Sequence, residues 1–462
     1  MIRLAVLGAG ILSCIVAAAS LRLPDDIGGM TDGRTMAYAA WTVAAGGLYA
    51  LAVAIVLRTH TPAMQDARRT LTAVLLLAVA MRLAVFLPPP LLSTDVYRYV
   101  WDGRVQAAGI NPYLHLPAAP ELLALRDAGS SPAAIYPNIN RAYYAPTIYP
   151  PAAQAIFAAV ALAWPGGPTT SVWGMKTAML AFDTLAVAAG LLLLRTAGLP
   201  AARVLIYAWN PLVVWEFAGG AHIDAAAAGL SALAILAAVR CRPALAGAAL
   251  GLAVLCKLLP AALFPALWRR WELRTLVVCG AVIAAGYACY AGAGWRVLGY
   301  LPGYASEEGL GNGGGVFLLR LAALSGPLPH WAGPAYGAMG LAGLLALSVS
   351  VVRQALPADP ARRATHICRD ALWLCAATMA VLSPHYPWYL TALALPTVLA
   401  PRPAALWLML SAPVLYLDPN HDRVLWPSLV FLPSIALLAF DLPRRPRLPH
   451  PASQGGHPCP PH

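Results

Sequence analysis

Long apolar runs recur along nearly the whole chain, as in LTAVLLLAVAMRLAVFL and TLAVAAGLLLLR, and they constrain its fold more than any other feature. A helix of about 20 apolar residues crosses the hydrocarbon core of a bilayer, roughly 30 Å thick. Charged residues make up only 11% of the chain and hydrophobic ones 60%, against about 25% charged in an ordinary globular protein. So few charges cannot cover a soluble surface. The 462 residues, which would suggest roughly three soluble domains by length, read instead as one polytopic membrane domain. The expected fold is an all-α integral membrane protein, a helical bundle of about 11–14 spans.

Apolar runs bounded by charge or by Gly/Pro clusters place spans near 4–20, 36–57, 70–87, 172–194, 203–218, 224–239, 275–292, 333–352, 370–382, 387–400, 403–417 and 424–440. Broken runs lie at 149–164, 244–268 and 314–325. The N-terminal MIRLAVLGAGILSCIVAAAS has the charged start and apolar centre of a signal peptide, read here as an uncleaved first helix. Residues 1–443 form the membrane domain, with 88–148 as its external loop. The Pro- and His-rich 444–462 reads as a disordered cytoplasmic tail.

The net charge of +12 carries no nucleic-acid signal. Its 31 basic residues, of which only Lys176 and Lys257 are lysines, are scattered in short loops. That is the cytoplasmic loop bias of membrane proteins. The eight cysteines lie mostly in apolar segments with no CxxC pair, against a zinc site or disulfide framework. Arg58, Arg68 and Arg69, then Arg353, Arg362, Arg363 and Arg369, then Arg444, Arg445 and Arg447 mark cytoplasmic connections. Residues 88–148 then fall outside. Keeping Arg195, Arg203, Arg240, Arg242, Arg269, Arg270 and Arg274 inside requires 149–164 to be re-entrant or interfacial. It also requires 244–268 to break near Lys257–Pro260.

This arrangement gathers polar and aromatic punctuation on the outer face, so the chemistry is sought there. From Ser93 or Thr94 as N-cap to Gly109, the loop sequence reads as a short helix. Asp95, Arg98, Tyr99, Asp102 and Gln106 share one of its faces. Such a helix would lie along the membrane surface and present Asp95 and Asp102 to a pocket, or merely expose its charges to water. Paired carboxylates with Arg98 between them suit a general base, and could instead hold a divalent cation. Tyr113, Tyr136, Tyr143, Tyr144 and Tyr149 suit sugar stacking or a headgroup belt. Lys257 sits inside an apolar run at a cost of about 2.5–3.5 kcal/mol, and such residues are usually functional. It could meet a phosphate or snorkel to the interface. Arg82, near an outer span end, offers the same alternatives. In SPHYPWYL, His385, Tyr386, Trp388 and Tyr389 suit carrier or sugar binding, or an aromatic belt.

The segments STDVYRYVWDGRVQAAGINPY, IYPPAAQ, WNPLVVWEFAGGAHIDA and GLAVLCKLLPAALFP together resemble the bacterial polyprenol-phosphate-mannose-dependent mannosyltransferases of the GT-C superfamily. The resemblance covers most of residues 70–270. It implies a membrane glycosyltransferase that moves a sugar, mannose by analogy, from a polyprenyl-phosphate donor to a glycan or lipid acceptor outside the bacterial plasma membrane. The superfamily's loop acid corresponds to Asp95 as general base, with Asp102 second. His222 and Asp224 would stand near the site, although Asp224 also suits a helix cap. The candidate donor-phosphate ligands are Lys257, Arg82, Arg98 and Arg104; Tyr99, His222, Asp224, His385 and Tyr389 are the candidate substrate contacts. A lipid-carrier flippase would show an internal repeat around midplane charges, and none is visible. A glycan ligase or polymerase stays open.

Overall fold

The structure is a computed structural model; it describes residues 2–21, 33–58, 64–127, 134–269, 272–417 and 424–441, and these contain helices and no strand. The tail expectation for 444–462 and the 418–423 loop lie outside the described residues. The helices that matter below are α1 (Ile2–Ala19), α2 (Gly33–Arg58), α3 (Met64–Phe86), α4 (Asp95–Ala107), α5 (Pro151–Ala163) and α6 (Pro168–Thr196). They are followed by α7 (Asp224–Val239), α8 (Pro243–Cys256), α9 (Leu273–Ala288), α10 (Ala332–Arg353) and α11 (Pro360–Leu382). Among the described residues five helices are long and apolar enough to span a membrane, namely α1, α2, α3, α6 and α10. Two bent pairs would raise that to seven, and five shorter apolar helices accompany them. The bends are sharp: Pro211–Gly219 turns by 118° into α7, and α9 turns by 110° into Ala291–Glu307.

Polar contacts inside the bundle set which helix ends lie together. Lys176 on α6 is fully buried and donates to the carbonyls of Val85, Phe86 and Pro88 at 3.2, 2.9 and 2.6 Å. It thereby caps the carbonyl end of α3, where a cation is favoured. Two turns along, Arg82 on α3 pairs with Asp183 on α6 at 2.5 Å. The two contacts make α3 and α6 antiparallel. Arg195, at the far end of α6, therefore lies at the end of Arg68 and Arg69. Between them α5 has only 13 residues, roughly 20 Å of helix, too short for a full crossing. The chain between α3 and α6 therefore leaves and returns at the same end of the bundle, as the arginine placement requires.

α7 and α8 form an antiparallel hairpin. Arg240 and Arg242 sit at its turn, and its open end brings Asp224 to Lys257. α8 stops at Lys257, whose backbone is extended (φ −157°, ψ 142°), and Leu259 starts a new short helix with Pro260 in its first turn. The break expected near Lys257–Pro260 is there because proline cannot continue a hydrogen-bonded turn.

α4 departs from expectation. It does not lie on a surface: from Val96 to Gly103 every residue is buried, as is Val105. Its packing against α5 requires Gly103, where a Cβ would overlap the Phe157 carbonyl. An amphipathic pattern records that one face is polar. Here the polar face meets polar protein groups and a cavity rather than water.

Candidate active site

A cavity of about 1000 Å³ opens at the end of the bundle where α4 begins and α8 stops. Asp95, Arg98 and Tyr99 reach it from the first turns of α4. Asn140, Arg141, Tyr144 and Tyr149 enter from the rest of the same loop, and Lys257 enters from the helix break. The segment after α9 contributes Tyr300, Tyr304 and Glu307, and the SPHYPWYL motif contributes His385, Tyr386, Trp388 and Tyr389. Away from these groups the cavity runs between α10 and α11, past Leu344, Ser348, Leu374, Thr378 and Leu382. It is polar and aromatic at one end and apolar at the other.

Asp95 is the carboxylate that α4 gives to this space. Its side chain is 21% exposed. Asn140 hydrogen-bonds it, and the Lys257 and Arg141 charges favour its anionic form. Burial outweighs them and lifts its carboxyl above the ordinary range. Behind it, the fully buried His222 has Nδ1 3.7 Å from Asp95 Oδ2 and Nε2 3.2 Å from Glu216 Oε2. The imidazole stacks on Trp388 with centroids 4.2 Å apart.

Lys257 projects into the cavity from the end of α8. Both Asp224 carboxylate oxygens accept from its Nζ at 2.7 Å, and Nζ lies 4.1 Å from the centre of the Tyr389 ring. Asp224 is thus both the first residue of α7 and the counterion of Lys257. Tyr304 and Tyr389 hydroxyls meet at 3.1 Å, and His385 Nε2 lies 2.9 Å from Glu308. Arg141 pairs with Glu307 at 2.8 Å and holds a left-handed φ of 57°. Gly299 (φ 56°) lets the post-α9 segment touch the loop: a Cβ there would overlap the Thr147 carbonyl, which accepts from Tyr300 N at 3.1 Å.

Several sequence candidates lie elsewhere. Asp102 is 1% exposed and does not line the cavity. It accepts from Arg98 at 2.8 Å, from the Thr147 hydroxyl and from Gln154 at 3.1 Å, tying α4 to α5. The shared helical face is real, but only its first turn opens on the cavity. Arg98 reaches the cavity yet is committed to Asp102 and the Ala145 carbonyl. Arg82 is held by Asp183 and the Ala208 carbonyl, away from the cavity. Arg104 is 3.8 Å from Asp127 and equally remote. Among the tyrosines, Tyr144 and Tyr149 line the cavity. Tyr113 is bonded to the Tyr149 carbonyl, Tyr136 packs on Arg126, and Tyr143 is exposed. Among the described residues no three or more His, Cys, Asp or Glu side chains are grouped to hold a metal ion.

The sequence reading did not single out Arg141, Glu307, Tyr304, Glu216 or Tyr416. Glu216 carried a signal, since it is an acid inside an apolar run like Lys257. For Arg141 and Glu307 there was none, because 166 positions separate them in sequence.

A family profile described as alpha-(1->6)-mannopyranosyltransferase, N-terminal domain, matches residues 1–272, more than half of the chain. The chain belongs to the MptA/B family. It is therefore a membrane glycosyltransferase of a mannosyl-transferring family, in keeping with the resemblance carried by residues 70–270. No curated protein and no solved structure matches it. The family region contains Asp95, Arg141, Glu216, His222, Asp224 and Lys257. The wall formed by Tyr304, Glu307, His385 and Tyr389 lies beyond it.

Proposed function

We propose that this mannosyltransferase moves mannose from a polyprenyl-phosphate donor to a glycan or glycolipid acceptor on the extracytoplasmic face of the bacterial inner membrane. The observation that carries this reading is the two-ended cavity. An apolar cleft between α10 and α11 suits a polyprenyl chain arriving from the bilayer. Among the candidate spans of the described residues α10 is the least buried against the rest of the protein, with Met339, Leu341 and Leu345 each more than half exposed. Where the cleft turns polar, Lys257 and Arg141 suit a phosphate and Asp95 suits a hydroxyl nucleophile. The basic residues at the opposite end of the bundle support the extracytoplasmic placement.

Asp95 accepts the acceptor hydroxyl proton as that oxygen attacks the anomeric carbon. The carbon–phosphate oxygen bond breaks with its electron pair on the departing polyprenyl phosphate. Lys257 and Arg141 hold that growing charge, which is where preorganised electrostatics contribute most to rate. For Lys257 this requires a share of its charge to leave Asp224; for Arg141, a share to leave Glu307. Aromatic side chains, Tyr386 and Tyr389 among them, offer faces for sugar rings. A single displacement inverts the anomeric centre, so a β-linked donor gives an α-linkage.

The test is purified protein in lipid nanodiscs with polyprenyl-phosphate mannose and mannose oligosaccharides. Elongated product with an α-linkage is expected. Translocation of labelled carrier across vesicles without transfer would overturn the proposal in favour of a flippase. Transfer of a preassembled chain would point to a ligase.

A further inference from the structure

Beyond the cavity wall, His222 lies between two carboxylates that come from different parts of the fold. Asp95 starts α4 and faces the cavity. Glu216 lies in the sharply bent half-helix that precedes α7 and is 2% exposed. Neither ring nitrogen of His222 is in hydrogen-bonding geometry with any described group, although each lies within 4 Å of a carboxylate oxygen. A fully buried imidazole without a partner is uncommon, since burial strips its nitrogens of water and nothing replaces those hydrogen bonds. On its far side Glu216 accepts from the Tyr416 hydroxyl at 3.1 Å. A cavity of about 10 Å³ adjoins the group, lined by Trp215, Glu216, His222 and Tyr416. The Trp215 indole N–H and the Tyr38 hydroxyl also have no hydrogen-bond partner among the described residues.

We propose that Asp95, His222 and Glu216 form a proton relay, in which Glu216 stores the acceptor's proton while the sugar is transferred. This rests on Asp95 being the base. The acceptor O–H bond breaks and its proton goes to Asp95. Asp95 passes a proton to His222 Nδ1 as the Nε2 proton of the same ring passes to Glu216. The imidazole is neutral before and after and changes only its tautomer. Asp95 is again anionic, and the proton rests on Glu216. After product leaves, the reverse tautomer shift returns it through Asp95 to water in the cavity. The 3.7 Å gap at Nδ1 has to shorten by about 0.7 Å to reach hydrogen-bond distance. His222 and Glu216 touch no substrate. They act through Asp95 as positioning and relay residues.

The relay sits in a defined electrostatic setting. Lys257 and Asp224 face it from the hairpin end, and Arg141, Asn140 and Tyr99 from the loop and α4. Tyr416 and Tyr38 face Glu216. Trp388 covers the imidazole. An acid limb of activity then reports the whole relay losing its proton.

The decisive pair of variants is Glu216→Gln and Tyr416→Phe, assayed for mannosyl transfer from pH 4 to 9 alongside wild type and Asp95→Asn. Gln keeps a polar contact to His222 but cannot accept its proton. Turnover should fall roughly 10- to 100-fold, short of the general-base loss, with donor KM unchanged. The acid limb should move to lower pH, because it now reports Asp95 alone. Tyr416→Phe removes a donor from the Glu216 carboxylate, which then holds its proton harder, so its limb should move to higher pH. The expected shift is about half a unit to one unit, the size of one hydrogen bond. Opposite movements support the relay. Limbs that coincide with wild type in folded variants overturn it, even if turnover falls, because a purely structural role moves neither. If Glu216→Gln does not fold, Tyr416→Phe decides alone. An Asp95→Asn variant with wild-type turnover would instead remove the base assignment beneath it.

Discussion

Asp95 and Asp102 stand on one helical face and should fail in opposite ways when neutralised. Asp95→Asn replaces a partly exposed carboxylate, with Asn140 as its hydrogen-bond partner, by an isostere of the same shape. Nothing in the packing is lost, so the melting temperature in detergent should stay within a few degrees of wild type. Turnover should drop by about 10² to 10⁴, the usual contribution of a general base. Asp102→Ala reverses the pattern. The carboxylate is the ion-pair partner of Arg98, whose side chain is 8% exposed and would keep only the Ala145 carbonyl. Removing one member of a buried pair costs about 3–5 kcal/mol, because the remaining charge is stranded. Thr147 and Gln154 also lose an acceptor but retain their own 2.7 Å contact, which limits the further loss. The variant should therefore melt much earlier while its folded fraction, isolated by size exclusion, still transfers mannose. A stable but inactive Asp102 variant beside an active Asp95→Asn would refute the assignment and make Asp102 the base.

Three further outcomes follow. As the proposed base, Asp95 has to be anionic to accept a proton, and burial lifts its carboxyl above the ordinary range. Activity should therefore be lost as pH falls through a limb above about 4, and an ordinary carboxylate limb in kcat/KM would contradict its setting. Lys257→Met combined with Asp224→Asn removes an ion pair without stranding a charge and should raise donor KM; an unchanged KM would pass the phosphate to Arg141, tested with Arg141→Gln. In a background without native cysteines, exposed Tyr143→Cys should react with an impermeant thiol reagent in intact cells and exposed Arg195→Cys only after lysis; the reverse would invert the topology.

Much of the fold was legible because the bilayer leaves few options. Predicted 4–20, 36–57, 172–194 and 333–352 became helices at 2–19, 33–58, 168–196 and 332–353. The break at Lys257 was legible too, through arginine placement and Pro260. The burial of α4 was not. Helical periodicity separates a polar face from an apolar one, but a face meeting Thr147, Gln154 and a cavity has the same pattern as one meeting water. SPHYPWYL was legible as part of the site, but the segment carrying Tyr304 and Glu307 was not: Arg141 meets Glu307 only because Gly299 lets two distant segments touch. Such a contact leaves no trace in local spacing.

The rule that a charge inside a span marks function needs a second condition here. Lys176, Arg82 with Asp183, and Arg269 with Asp370 at 2.6 Å are all buried charges in or beside helices of the bundle. Each is satisfied within the protein, and none lines the cavity. Lys176 ties α6 to the end of α3, Arg82 locks the same pair in register, and Arg269 joins its segment to α11. These are structural ties, and they fix the positions of the helices that frame the site. Lys257 differs in one respect: its side chain is 18% exposed, and that surface opens on the cavity. Its bond to Asp224 fixes where the ammonium stands without closing off its remaining N–H. Glu216 is sealed like the structural group, yet its neighbour is an unpartnered imidazole rather than a cation. A buried charge whose partners satisfy it holds the fold. One that faces a cavity, or a group able to move a proton, is left free to do chemistry.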